Sequence, residues 1–365
     1  MKLIELFFDD VFRIPLRKGD MPTANLLKKK FDVYLRLLDK LSNDDKFTDT
    51  IKNQFSDIEK LCNRIISAVK HSLQGSPHKA YNALAEGISA LEGFLYFRIT
   101  ERVKYPESIS LFRVRSSQSK YLSRKDMFHV PFHLRGKVRN QRFSISGFPC
   151  LYLGSSIYVC WEELNRPDFG SLFISKFRLL TKQPGILDLT FSVDEAKGSI
   201  EKFRKDDPFS EWLLFNTVEK IILFPLILSC SIINKESTDV FKEEYIIPQL
   251  LLEWVNSTGK INAIEYLSSG LPDYSLDNSL YRNYVFPTKK QKEKGYCSSL
   301  SGIFELTNPI SWTFAQNIHE HIHRASTNPR FDFNILNQSR SYANTTFGNI
   351  ERIINSMEFR KLEGI

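Results

Sequence analysis

The stretch "RFSISGFPCLYLGSSIYVCWEEL", Arg142 to Leu164, changes its pattern near the middle. The run "FPCLYLG" is apolar and aromatic and is bounded by Gly and Pro, which predicts a β-strand. The run "YVCWEEL" is typical of a helix, and Ser155 and Ser156 separate it from the strand. A strand followed so closely by a helix favours a fold that mixes both kinds of element.

Short apolar or alternating runs continue on both sides of this stretch. The runs "SLFRVR", "SLFISKFRL", "GILDLTF" and "KIILFPLIL" are predicted strands, whereas "IIPQLLLEWVNST" is a predicted helix. The segment from Ile221 to Ile233 is too short to span a membrane and contains Pro225, so we interpret it as a buried strand pair or a strand and a turn. Together these runs predict an α+β domain with a largely antiparallel sheet over residues 105–285.

The first hundred residues show helical periodicity. Apolar residues recur at three- and four-residue spacing in three runs, which predicts three antiparallel helices over about residues 20–100. We therefore predict three regions: an N-terminal helical region, 1–104, suited to homo-oligomerisation or partner docking; a mixed domain, 105–285; and a C-terminal extension, 286–365, that ends in a helix.

The positive charge of the chain is concentrated in one segment. The chain has 365 residues and a net charge of +8, from 50 basic and 42 acidic residues. Residues 101–145 contain eleven Lys and Arg against three acids, so this segment alone accounts for the excess. A local field of this kind attracts phosphates, whether they belong to nucleic acid or to a small ligand.

The cysteines and the first residues bear on the compartment. Five cysteines are scattered along the chain without a CxxC pair, which argues against a zinc knuckle or a disulfide framework and favours a reducing cytoplasm. The start, "MKLIELFFDDVF", lacks the features of a signal peptide. We predict a cytoplasmic protein with no membrane segment.

One motif points to a metal. "HEHIH", His319 to His323, matches H-E-x-x-H, in which two His on one helix face bind zinc and Glu320 polarises water. The sequence that follows, "RASTNP", should end the helix within about one turn, and no third ligand is obvious nearby. The zinc-hydrolase interpretation stays open as an alternative, and the other interpretation is a polar surface helix.

Three blocks of the mixed domain carry a more specific resemblance. They are Leu111-Phe112-Arg113-Val114, the run "RFSISGFP" from Arg142 to Pro149, and a Tyr152 that precedes Glu163 by eleven positions. In this order they resemble the RES domain, whose known members include toxins of toxin–antitoxin pairs that deplete cellular NAD. The resemblance covers about residues 105–280 and implies a fold similar to that of ADP-ribosyltransferase toxins.

The resemblance also implies residue roles. It assigns the family Arg to Arg113, the family Glu to Glu163 and nicotinamide stacking to Tyr152. Arg142 and Ser144 of the second block become further contacts to NAD. The family Ser normally follows a hydrophobic strand that ends in Val-Pro-Ser, and here we choose Ser231, with Ser229 and Ser237 as alternatives. NAD+ is then the substrate, no metal is expected, and a protein antitoxin is an expected partner.

These residue types suit the cleavage of NAD. Arg matches pyrophosphate oxygens, an aromatic ring stacks on nicotinamide, and a carboxylate stabilises the positive charge that grows on the ribose. The enzyme would be a glycohydrolase if water accepts the ribose, a phosphorylase if phosphate does, and an ADP-ribosyltransferase if a macromolecule does. A nucleic-acid-binding module is a further alternative, but few aromatic residues precede Phe143 in the basic segment.

Overall fold

The computed structural model describes residues 1–95, 109–180, 185–234, 239–268, 278–322 and 342–362, and within these ranges the side chains of residues 278, 279 and 319–322 are not described. The chain forms two compact units, each assembled from separate stretches of sequence. Unit 1 comprises residues 1–102, 140–145 and 185–269, and unit 2 comprises 103–139, 146–184 and 270–365. The three contiguous regions expected from the sequence stay a prediction.

The described helices and strands mix throughout the chain. In chain order the helices are α1 (Thr23–Asp39), α2 (Lys46–Asn53), α3 (Phe55–Leu73), α4 (Pro77–Ser89), α5 (Ile157–Glu163), α6 (Val193–Glu201), α7 (Pro208–Ile222), α8 (Phe224–Cys230), α9 (Ile246–Thr258), α10 (Ser298–Ile303), α11 (Trp312–Ile322) and α12 (Thr346–Asn355). The strands are β1 (Leu111–Ser116), β2 (Cys150–Gly154), β3 (Leu172–Leu179), β4 (Ile186–Asp188), β5 (Ala263–Leu267), β6 (Arg282–Pro287), β7 (Phe304–Thr307), β8 (Ile310–Ser311) and β9 (Phe359–Lys361).

Unit 1 is mainly helical. The apolar faces predicted for the N-terminal region lie on α1, α3 and α4, and their residues are buried. They pack on one another and on α8 and α9, so these faces are used inside the unit. Tyr34 of α1 fixes the packing further, because its hydroxyl donates to the carbonyl of Ile221 at 2.5 Å. Two short strands, β4 and β5, pair in parallel.

The strand prediction for Ile221 to Ile233 is wrong. This segment contains the end of α7 and all of α8, and Pro225 occupies the first turn of α8. Proline suits a first helical turn because the amide that it lacks would have no partner there. Among the described residues no single helix is long and apolar enough to cross a membrane, although α7 and α8, which are bent by 65°, meet the length and composition criteria together.

Unit 2 is built on an antiparallel sheet. Its strands lie in the order β6-β2-β1-β3-β7-β9, and β8 pairs with β3 beside β7. Across the part of the chain that the structure describes, the register pairs within this sheet are all antiparallel. The α+β class and the largely antiparallel sheet are therefore confirmed.

One core of unit 2 joins the sheet to its helices. Phe112 and Val114 of β1 lie in one buried cluster with Ile157 and Trp161 of α5. Phe347, Ile350 and Ile354 of α12 belong to the same cluster, so the C-terminal helix predicted from the sequence is confirmed and packs in this core.

Candidate active site

Arg113 occupies the middle of β1. Phe112 and Val114 face the core that contains α5, so alternation along the strand directs Arg113 to the other face of the sheet. Its Nη1 donates to the carbonyl of Tyr152 at 3.1 Å. Its buried Nε has no hydrogen-bond partner among the described residues. Burial, together with the nearby Arg115, lowers the pKa of Arg113 to about 9, which still leaves the guanidinium charged at neutral pH.

The junction of β1 and β2 is unusually short. The two strands share the single register pair Phe112 and Gly154. A Cβ on Gly154 would lie 2.6 Å from both Cys160 Sγ and Val159 Cγ1, so α5 crosses directly over the backbone at this point. Beyond the pair, the bond from Arg113 to Tyr152 joins the strands in place of a backbone ladder.

The turn into α5 is held by serine side chains. Ser156 is the N-cap: its hydroxyl accepts from Val159 N at 3.0 Å and donates to the carbonyl of Leu280 at 2.7 Å. The Ser155 hydroxyl accepts from Arg282 N at 3.0 Å, which extends the pairing of β2 with β6. The predicted sequence of strand, two serines and helix is confirmed, and it fixes where α5 begins.

Glu163 is the last residue of α5 and is exposed. Its Oε1 accepts a hydrogen bond from Asn283 Nδ2 at 2.8 Å. Asn283 is only 6% exposed and pairs with Gly154 in the β2–β6 register. A buried amide on a strand is rigid, so the sheet itself sets the direction of the Glu163 carboxylate.

The neighbouring acid, Glu162, has a different environment. Its side chain is 5% exposed and pairs with Arg166 Nε at 2.9 Å. Arg166 and Asn165 both have left-handed backbone angles, with φ of 54° and 61°. Such conformations cost non-glycine residues about 1–2 kcal/mol each. The turn after α5 is thus strained and ion-paired, which separates the role of Glu162 from that of Glu163.

Cys160 of α5 is near enough to Arg113 and to Glu163 for both charges to act on the pKa of its thiol. Burial raises the pKa of its thiol to about 12, and the Arg113 guanidinium and the Glu163 carboxylate act on that pKa in opposite directions. Its Sγ donates to the carbonyl of Phe112 at 3.3 Å. Arg113 and Tyr152 contact each other on β1 and β2, and Glu163 ends α5, the helix that packs over Gly154 of β2; that the three residues form one site stays a prediction.

The other three predicted residues belong to unit 1. Arg142 Nη1 donates to the carbonyl of Cys230 at 2.7 Å, and its guanidinium lies 5.7 Å from the ring centre of Tyr245. Ser144 is buried, and its carbonyl accepts from Gln249 Nε2 at 3.2 Å. Ser231 follows α8, and its hydroxyl donates to the carbonyl of Leu228 at 2.9 Å. Each of these three hydrogen bonds has a backbone carbonyl as its acceptor.

Comparison with known proteins gives one relative of high similarity. The protein named "Putative toxin YopC" from Bacillus subtilis (strain 168) is 36% identical over 321 residues, which cover 85% of this chain and 71% of that protein. The chain belongs to the YopC family. No family model matches the chain, and no solved structure matches it.

The structure of this YopC-family chain contradicts the reason for choosing Ser231 as the family serine. The prediction needed a strand before the serine, but Ser231 and Ser229 belong to the end of a helix. Ser237 lies outside the described residues. A serine that does follow a strand is Ser268, which comes directly after β5 and is fully buried. The short, mainly apolar run "AIEYL" before this serine was a signal that could have pointed to it.

Sequence reasoning also missed two residues that support α5. Asn283 could have been noticed as a polar residue of low strand propensity within "YRNYVFP". Glu351 of α12 gives no such signal. Its Oε1 accepts from Ile157 N and from the Tyr342 hydroxyl, each at 2.7 Å. Burial raises the pKa of Glu351 to about 7.

The structure leaves the metal motif open. Within the described ranges, no group of three or more His, Cys, Asp or Glu side chains is placed to hold a metal ion. The motif itself is on and after the end of α11, where its side chains lie outside the described residues.

His129 is a buried, neutral residue: its Nε2 accepts from Cys297 N at 2.8 Å, and burial lowers its pKa to about 4.

Proposed function

We propose that this YopC-family chain is an NAD-consuming enzyme of the RES type, with an ADP-ribosyltransferase-like fold, that cleaves the nicotinamide–ribose bond. The observation that carries the proposal is a buried cation on β1, Arg113, together with a carboxylate at the end of α5, Glu163, whose direction is set by Asn283 of the same sheet. The relative named "Putative toxin YopC" supports a role as a toxin. Depletion of cytoplasmic NAD and neutralisation by a protein antitoxin complete the proposal.

The predicted site residues of unit 2 have different roles in the proposed reaction. Arg113 binds the pyrophosphate, because a guanidinium with an unpartnered Nε still has donors to offer to phosphate oxygens. Tyr152, which is partly buried on β2, stacks on nicotinamide. The roles of Arg142, Ser144 and Ser231 in binding or catalysis stay predictions from the resemblance.

Glu163 acts on the bond that breaks. Nicotinamide leaves with the electron pair of the C–N bond, and the ribose gains positive charge that the carboxylate stabilises. The oxygen of water or phosphate then bonds to the ribose carbon and loses its proton to solvent. Asn283 holds Glu163 ready for this step, so no reorganisation of the carboxylate is needed as the charge develops.

The experiment is incubation of purified protein with NAD, with and without phosphate, followed by chromatography. Free nicotinamide with ADP-ribose indicates a glycohydrolase, and ADP-ribose phosphate indicates a phosphorylase. Label from NAD on protein or nucleic acid indicates an ADP-ribosyltransferase. EDTA should leave the activity intact. Absence of nicotinamide release under all conditions would contradict the proposal. Stoichiometric zinc in the purified protein, with activity lost in EDTA and in His319→Ala, would favour the zinc hydrolase.

A further inference from the structure

Ser175 is the direct partner of Arg113 across the β1–β3 ladder. Residues directly opposite in an antiparallel pair share a face, with Cβ atoms about 5 Å apart. Ser175 is fully buried, and its hydroxyl has no hydrogen-bond partner in the part of the chain that the structure describes. The same holds for Arg113 Nε, so two residues that are directly opposed on neighbouring strands each carry an unsatisfied polar atom.

An unsatisfied buried polar atom costs about 1–3 kcal/mol. A donor N–H and a hydroxyl on neighbouring strands can both be satisfied by one oxygen atom between them. Arg115 shares this face and Asp126 lies near it, so the three charged groups carry a net charge of +1. The surroundings therefore favour an oxygen that belongs to an anion.

We propose that Ser175 and Arg113 together bind one phosphate oxygen, a contact that neither the family resemblance nor the relative assigns to Ser175. Two sources fit this chemistry: the pyrophosphate of NAD, which rests on the proposed function, and free inorganic phosphate. The serine hydroxyl donates to the oxygen and Arg113 Nε donates to it from the neighbouring strand. An internal water would satisfy the same two atoms without any ligand.

The test compares wild type with Ser175→Ala by calorimetric titration, first with ADP-ribose and then with inorganic phosphate. The matched control is Ser116→Ala, which removes a hydroxyl of β1 that pairs with the Ser171 hydroxyl at 2.8 Å. Ser175→Cys keeps the side-chain size and replaces Ser175→Ala if that variant does not fold. The KM for NAD and the melting temperature are measured on the same samples.

The Ser175 variant should bind its phosphate ligand about ten-fold more weakly, with a kcat near that of wild type. Weaker ADP-ribose binding assigns the oxygen to the dinucleotide, and weaker binding of inorganic phosphate alone assigns it to a free phosphate. Unchanged affinity for both with a changed melting temperature indicates a buried water and overturns the inference. If the Ser175 variant binds these ligands more weakly than wild type, but wild type releases no nicotinamide from NAD, the proposed function is contradicted and the inference about Ser175 stands.

Discussion

The six residues singled out by the sequence fall into two groups that differ in how their polar atoms are used. In unit 2, Arg113 has a buried donor without a partner among the described residues, and Glu163 is exposed and aimed by an amide. In unit 1, Arg142 and Ser231 donate to backbone carbonyls that lie close by. The same residue types thus keep a polar atom free of protein partners among the described residues in one unit and bond the backbone in the other. A sequence motif identifies a candidate residue. The hydrogen bonds of that residue then show which of its polar atoms are already engaged within the protein.

The largest effect is expected for Glu163. Glu163→Gln keeps the size of the side chain and removes the charge that stabilises the ribose cation. We expect kcat for NAD cleavage to fall about 100-fold or more, on the order of 3 kcal/mol, while NAD still binds. The matched control is Glu201→Gln, which changes another exposed acid at the end of a short helix, α6. Full activity of Glu163→Gln would place Glu163 with the structural residues.

A pH effect on stability is expected for Glu351, whose folded-state pKa of about 7 exceeds the unfolded value of 4.5. The folded state therefore binds this proton more tightly, and the free energy of unfolding should fall as pH rises from about 4.5 to 7, by up to about 3 kcal/mol. Among the described residues, Tyr342, Lys176 and Cys160 are titratable groups that interact with it.

Glu351→Gln removes this titration. Urea unfolding at pH 4.5, 6 and 7.5 should show the variant gaining stability relative to wild type as pH rises through the folded-state pKa of about 7. Parallel curves for the two proteins would show that Glu351 does not carry a raised pKa.

Arg113 should act mainly in binding. Phosphate contacts exist in the ground state and in the transition state alike, so Arg113→Ala should raise KM for NAD on the order of 30-fold, with a smaller change in kcat. Arg178→Ala, which breaks the ion pair with Glu305, is a control on the same sheet. A large loss of kcat at unchanged KM would assign Arg113 to the transition state instead.

Substitution of Asn283 tests whether the orientation of the Glu163 carboxylate affects kcat. Asn283→Leu has a similar volume and removes the donor to Glu163. We expect kcat to fall about ten-fold with KM little changed. In the double variant with Glu163→Gln, the second change should add little, because both act through one carboxylate. Full additivity would mean that Asn283 acts by another route.

The smallest effect is expected for Arg142. Arg142→Ala leaves the Cys230 carbonyl without its donor and removes the contact with the Tyr245 ring, so the free energy of unfolding should fall by about 1 kcal/mol. KM for NAD should stay near the wild-type value. A ten-fold rise in KM without loss of stability would return Arg142 to the ligand-binding group and break the contrast between the two units.

Local pattern predicted much of the fold. The strands β1, β2 and β3 and the helices α5, α9 and α12 lie where composition and periodicity place them. The run at Ile221 to Ile233 failed because a short apolar segment has no period that separates a buried strand from a buried helix. There the outcome depends on packing against the other helices of unit 1.

The candidate site was predictable only in part. Arg113, Tyr152 and Glu163 stand in recognisable blocks, so sequence could name them. Ser175 and Asn283 become relevant through strand register, which joins residues far apart in the chain. Glu351 reaches Ile157 across 194 residues, and nothing local to either residue indicates that contact.

The contact between Glu351 and Ile157 implies an order of events during synthesis of the chain. A helix of seven residues such as α5 does not persist by itself, because so short a segment cannot offset the cost of starting a helix. At about 5–20 residues per second, a ribosome needs about 10–40 s to travel from Ile157 to Glu351. A nascent chain that stops short of Glu351 therefore carries Glu163 without the residue that secures the start of its helix, and we expect the Glu163 carboxylate to be held in place only after Glu351 has been synthesised.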